Sequence, residues 1–279
     1  MDINWFPGHM AKSTREIESN LKVADLVLYV LDSRAVRSCF NPSFDKMITV
    51  PTVFVLNKAD ITPVEATNAW LNKLSNGKNT AVAIDGTSSS CRKRLLAEIK
   101  KAGAETLNKQ KKRGLNAHLR AVVVGVPNTG KSTIINSLCG KARLITGDKA
   151  GVTRSATWAR VDETLDILDT PGTLYPKITD RRVGENLAII GSVRDEVIDR
   201  SELALILISH LNEIDEQILS NRFSASISAD VSGLESIARS RGFKIRGGEL
   251  DIERAAIALI DDFRKGRLGK IALENADGE

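Results

Sequence analysis

Apolar residues recur along this chain in two rhythms. Up to about residue 170 they come in short unbroken runs, at 25–31, 52–56, 80–84 and 121–124. Runs of this length, closed by polar or turn-forming residues, predict strands buried on both faces of a parallel sheet. Two further runs, 157–161 and 164–168, predict a hairpin turning near Asp162 and Glu163. Helix-like stretches separate them: a polar one ending at Asn20, one over 64–74, a basic helix and linker over 91–117, and a short one at 134–138. Beyond about 178 the spacing becomes helical throughout, as in Leu187, Ile190, Val193 and again in Ile257, Ile260, Phe263. The run 203–208 is continuous enough to read as either helix or strand.

Strands alternating with helices predict an α/β fold with a doubly wound, mostly parallel sheet over 1–177. A smaller all-helical domain is expected over 178–279. No apolar run approaches the ~20 residues of a membrane-spanning helix. The first residues lack a basic stretch followed by an apolar one, so no signal peptide is expected and the cytoplasm is the expected location. Cys39, Cys91 and Cys139 are odd in number and far apart, which fits reduced thiols better than disulfides or a zinc site. The net charge of +5 is unevenly spread. Residues 92–120 carry ten Lys/Arg against two Glu, whereas 176–279 carry fifteen against nineteen Asp/Glu. A basic stripe suits a polyanion, or is simply a solvated helix face.

Ligands of such sheets bind at the carboxyl ends of the strands. The fourth run ends in GVPNTGKST at 125–133, a P-loop in its expected strand–loop–helix setting. Gly125 and Gly130 let backbone N–H groups turn inward to form an anion site with Asn128, Thr129 and Thr133. Lys131 can reach β- and γ-phosphates and counts as catalytic, and the Ser132 hydroxyl can hold Mg²⁺. The hairpin ends in DTPG at 169–172, where Asp169 can hold Mg²⁺ and the Gly172 N–H can meet the γ-phosphate. Thr153, between the two motifs, can close on the metal, or is an ordinary loop threonine. NKAD at 57–60 selects the base. The Asp60 carboxylate can accept two hydrogen bonds from guanine, which adenine cannot offer, while Asn57 buttresses and the Lys58 stem packs on the ring. Asp85 and Gly86 lie at the third strand end and join the expected nucleotide site.

The motif set resembles that of TRAFAC-class GTPases in permuted order, with NKAD before the P-loop. Together with WFPGHMAK at 5–12, it resembles the circularly permuted GTPases of the ribosome biogenesis GTPase A type. The resemblance implies a Rossmann-like GTPase domain, a helical RNA-binding domain, and a role in late assembly of the large (50S) ribosomal subunit, with GTP hydrolysis stimulated by the particle. The chain departs from the family in reading SRAVR after Asp32, where a proline is common, and in its acidic C-terminal part. GTP, GDP and the large subunit are the expected partners, no membrane is involved, and a monomer is expected.

Many GTPases orient the attacking water with a Gln just after DxxG. Here that ground is Thr173 and Leu174. His9, in a Gly-flanked turn, can bind water through a ring nitrogen, and the resemblance points to it as well. Its alternative is a surface or packing histidine. Asn128 is a candidate K⁺ ligand in its P-loop, as in related GTPases, or a loop Asn satisfying its own backbone. The loop after 169–172 runs almost directly into the C-terminal part, so its ordering by γ-phosphate could reorient that part. Two other readings stay open. One is an RNA-binding assembly factor that uses GTP as a clamp with little turnover, or a GTPase acting on another RNA. The other is a P-loop kinase, which would show no guanine preference.

Overall fold

The computed structural model describes residues 8–140, 157–174, 178–193 and 198–277, the side chains of 8–14, 45 and 157 excepted. Six strands form one sheet: β1 (Leu26–Asp32), β2 (Thr52–Asn57), β3 (Thr80–Ala83), β4 (Leu119–Val124), β5 (Thr157–Asp162) and β6 (Leu165–Asp169). Their order is β3-β2-β1-β4-β6-β5, parallel except for the β5–β6 hairpin. All six coincide with the runs that hydrophobic patterning marks, with ends shifted by one or two residues, as strand ends commonly are.

β1 is buried at every position, which requires covered sheet faces on both sides. Its residues alternate between two cores. Leu26, Leu28 and Val30 join Leu95 and Ile99 of α4 (Cys91–Ala102) and Ile134, Ile135 and Leu138 of α6 (Lys131–Cys139). Val27, Tyr29 and Leu31 join the opposite core with Ile17 of α1 (Gly8–Leu21) and Trp70 of α3 (Val64–Leu74). A short α2 (Pro42–Asp45) places Phe44 in that second core, and α5 (Ala104–Lys112) follows α4 with no buried residue.

The C-terminal part is helical: α7 (Arg181–Ile189), α8 (Arg200–Ile214), α9 (Gln217–Phe223), α10 (Val231–Arg241) and α11 (Ile252–Arg264). The ambiguous run 203–208 lies inside α8, where Leu203, Leu207 and Leu211 return to one face. Asp180, Asp199, Asp230 and Asp251 each accept backbone N–H bonds as N-caps. Part of this region's acidic surplus therefore sits at helix starts. Leu187, Leu203, Leu259 and Phe263 belong to the same core as Val122 and Leu168, so these helices cover one face of the sheet. The expected boundary at 177/178 falls beside residues 175–177, outside the described residues.

Candidate nucleotide site

The loops after β2, β3, β4 and β6 open along one edge of the sheet, because all four strands are parallel. The β4 loop begins pressed against β1: a Cβ on Gly125, at φ +151, would meet Val30 O at 2.4 Å. At its other end Gly130, φ +95, leaves no room for a side chain against Asn57 Nδ2. Asn57 is buried and bridges two neighbours. Its Nδ2 donates to Thr129 O at 2.8 Å, and its Oδ1 accepts from Gly86 N at 2.9 Å. One side chain thus ties together the three loops that NKAD, Gly86 and the P-loop occupy.

Lys58 sits in the left-handed region at φ +62 and makes a second tie. Its ammonium donates to Asn128 O at 3.1 Å and pairs with Asp32 at 2.8 Å. Asp32 ends β1 fully buried and also receives Arg34 through Nε at 2.9 Å and Nη2 at 2.8 Å. Burial alone would raise this carboxyl, but the Arg34 and Lys58 charges outweigh it and hold Asp32 well below the usual carboxylate range. Asn128, at φ +60, is fastened through Nδ2 to Gly191 O at 2.5 Å, and Ser192 Oγ donates to Pro127 O at 2.6 Å. The P-loop is therefore braced from the C-terminal helices as well as from the sheet.

Lys131 is buried, and its Nζ donates to Val126 O at 2.8 Å, across its own loop. Burial pushes its ammonium down to about 8, with the Asp169 charge pulling the other way. Thr170 Oγ1 donates to Val123 O at 2.5 Å and holds DTPG on β4. A Cβ on Gly172 would lie 2.7 Å from Lys131 Nζ and 2.8 Å from Pro127 Cα, so only glycine lets DTPG pass this close to the P-loop. Thr173 and Leu174 point into the protein, and Leu174 is part of the core.

A cavity of about 510 Å³ lies over these loops. Asn57, Lys58, Asp60, Asp85 and Gly86 line it from the β2 and β3 ends, and Asn128, Gly130 and Thr133 from the P-loop. Thr129 is buried beneath, and Ser132 is half-buried in the first turn of α6. Asp169 and Gly172 adjoin through Lys131. His9 falls in α1 with its side chain outside the described residues, and Thr153 lies outside them altogether. Among the charged residues here, Asp32, Arg264 and Lys265 lie outside the sequence motifs. An acid closing an all-apolar strand, with an arginine two residues on, was a signal for the first. The other two reach the cavity only through tertiary packing.

No group of three or more His, Cys, Asp or Glu is placed to hold a metal among the described residues. The Asp169 carboxylate and Ser132 hydroxyl are nevertheless the oxygen donors that suit Mg²⁺, which takes one or two protein ligands and completes its shell with phosphate and water. The Asn128 amide supplies the carbonyl type that K⁺ prefers, although the Lys58 ammonium already sits on this residue's backbone carbonyl.

Comparison with known proteins places this arrangement in context. The family described as 50S ribosome-binding GTPase matches residues 120–232. Ribosome biogenesis GTPase A of Bacillus cereus is 34% identical over 281 residues, spanning 99% of this chain and 95% of that protein. The Thermotoga maritima protein of the same name is 31% identical, again over 99% of this chain and 95% of its own length. Two solved structures of YlqF from T. maritima, one GNP-bound and one GDP-bound, superpose with TM-scores of 0.65 and 0.67 at 26% identity. They cover 96% and 95% of this chain and the whole of theirs.

Proposed function

Because the chain belongs to the ribosome biogenesis GTPase A family, we propose that it hydrolyses GTP as a Mg²⁺-dependent assembly factor in late maturation of the large ribosomal subunit. The observation that carries the reading is one shared cavity: Asp60 of the base-selecting loop lines the same space as Gly130 and Thr133 of the P-loop. A guanine nucleotide spans that distance with its base on Asp60 and its phosphates on the backbone N–H groups before α6. Lys131 would stabilise the β- and γ-phosphates, and Ser132 and Asp169 would hold Mg²⁺, which neutralises charge on the transferred phosphoryl group when bound. Thr153 would close on the metal, and Gly172 would meet the γ-phosphate.

Thr173 and Leu174 are buried, so neither can orient the attacking water as a glutamine would. His9 takes that role in this reading. The Lys131 ammonium and the helix N-terminus stabilise charge that develops on the phosphates. The nucleotide state is read by a particle that the basic stripe on α4 and α5 approaches through phosphate contacts.

The test is GTP turnover with and without isolated large subunits. Stimulation by the particle, lost in His9→Ala while GTP binding persists, is the expected result. Tight GTP binding with negligible turnover on the particle would favour a structural clamp instead. Hydrolysis compared in KCl and NaCl tests Asn128, and equal rates would remove K⁺ from the scheme.

A further inference from the structure

The cavity has a wall that the P-loop and NKAD do not build. Arg264 ends α11 and Lys265 caps it, and both line the cavity alongside Asp60 and Ile61. The chain then turns at Gly266, φ +69, where a Cβ would lie 2.3 Å from Ile61 Cγ2. Glycine there lets the backbone press directly on the 3₁₀ turn (Ala59–Ile61) that carries Asp60. Ile271 N then donates to Ile61 O at 3.1 Å, and Leu273 N to Arg34 O at 2.7 Å. The segment is anchored again where Lys73 Nζ donates to Ala276 O at 2.6 Å.

The two cations differ in how they are held. Arg264 is committed, with Nε donating to Ile189 O at 3.1 Å and Nη2 to Ala188 O at 3.0 Å at the end of α7. Arg34 locks the same turn by donating to Phe263 O at 2.9 Å while stacking on the Phe263 ring at 4.7 Å. Lys265 makes an exposed pair with Asp261 at 2.7 Å, both side chains close to half exposed. Such a pair holds weakly and is readily exchanged for another acceptor.

We propose that Lys265 is a nucleotide-binding residue, an ammonium brought by the C-terminal helices to a pocket that the loops of the sheet leave open on one side. It rests on the guanine nucleotide reading of the cavity. Lys265 sits beside Asp60 and Ile61, so the part of GTP or GDP it serves is the guanine end, whose O6 and N7 accept hydrogen bonds from an ammonium. The C-terminal segment 263–273 is the device that carries it there, so nucleotide occupancy and docking of this segment support one another.

The experiment measures GDP and GTP-analogue affinity, by fluorescence of a labelled nucleotide, for Lys265→Arg, Lys265→Gln and Lys265→Glu in the full chain. Lys270→Gln, exposed and away from the cavity, is the control. Lys265→Gln is expected to weaken binding about three- to tenfold, as for a partly screened charge. Lys265→Glu should weaken it further, Lys265→Arg should stay near wild type, and the spread should shrink as salt rises. Lys265 is exposed, so circular dichroism should show all variants folded. Affinities of all three within twofold of wild type would overturn the proposal. If the wild-type chain bound no guanine nucleotide, the reading of the cavity itself would fail, a result distinct from a flat Lys265 series.

Discussion

Lys131 is an ammonium buried against the Val126 carbonyl with the Asp169 carboxylate nearby, and burial pushes it down to about 8 from 10.5. Nucleotide phosphates would restore its preference for the proton. Binding at pH 8.5 should therefore take up a substantial fraction of a proton, and binding at pH 7 should take up little. Calorimetry in two buffers of different ionisation enthalpy measures this, and equal apparent enthalpies at pH 8.5 would count against it. In the proposed guanine nucleotide site, Asp60 makes the sharpest chemical demand. An amide in place of its carboxylate no longer matches guanine's two donors but does suit the C2 carbonyl of xanthine. Asp60→Asn should thus weaken GTP binding about a hundredfold and gain affinity for XTP, read in a competition assay. Asp32 is a carboxylate whose folded pKa is depressed. Its contribution to stability is present above the unfolded value near 3.9 and is lost as pH falls through the lower folded value. Arg34→Ala leaves this buried acid with Lys58 as its one cationic partner among the described residues and should cost about 3 kcal/mol in urea unfolding, with little change in the denaturant slope.

Individual elements show why patterning succeeded where it did. The strands β1, β2 and β4 are buried on both faces, so their apolar runs are unbroken and visible. The run 203–208 carried the same signal for a different reason. α8 is also covered on most sides, and continuous burial hides the helical period. The C-terminal helices are closed by charge. Asp262, nearly fully buried, receives Arg222 at 3.0 Å, Arg241 at 2.5 Å and Arg267 at 3.2 Å, joining α9, α10 and the turn after α11. Asp262→Asn removes the charge these arginines answer and should lower stability by about 2 kcal/mol. A thermal melt that did not move would show the arginines are satisfied by solvent. Net acidity counted along 176–279 therefore misdescribes the surface, since five of its aspartates are engaged in caps or in this cluster.

Taken whole, the molecule has one core that runs from the sheet into the C-terminal helices, and a second that stays with α4 and α6. The basic stripe lies over the second. Lys93, Arg94, Lys100, Lys111 and Lys112 are exposed there, within reach of an approaching phosphate backbone. Replacing Lys109, Lys111 and Lys112 with Glu should weaken association with large subunits and flatten its dependence on salt, while leaving GDP affinity unchanged. Pelleting assays at several salt concentrations would show it, and an unchanged slope would count against this stripe as a phosphate-binding surface. Among the described residues, no helix is long and apolar enough to cross a membrane.

Order of motifs along the chain was enough to read the parallel sheet and to mark the loops after β2 and β4 that open at one of its edges. These are local signals, since glycines, short apolar runs and strand ends are set by neighbours in sequence. The buried pairing of Asp32 with Arg34 and Lys58, the Asn57 bridge across three loops, and the arrival of Arg264 and Lys265 at the cavity were decided by packing. Apart from the Asp32–Arg34 contact, each joins residues that sequence separates: strand pairing brings Lys58 to Asp32 and the loops to Asn57, and the closing of the core over one sheet face brings α11 to the cavity.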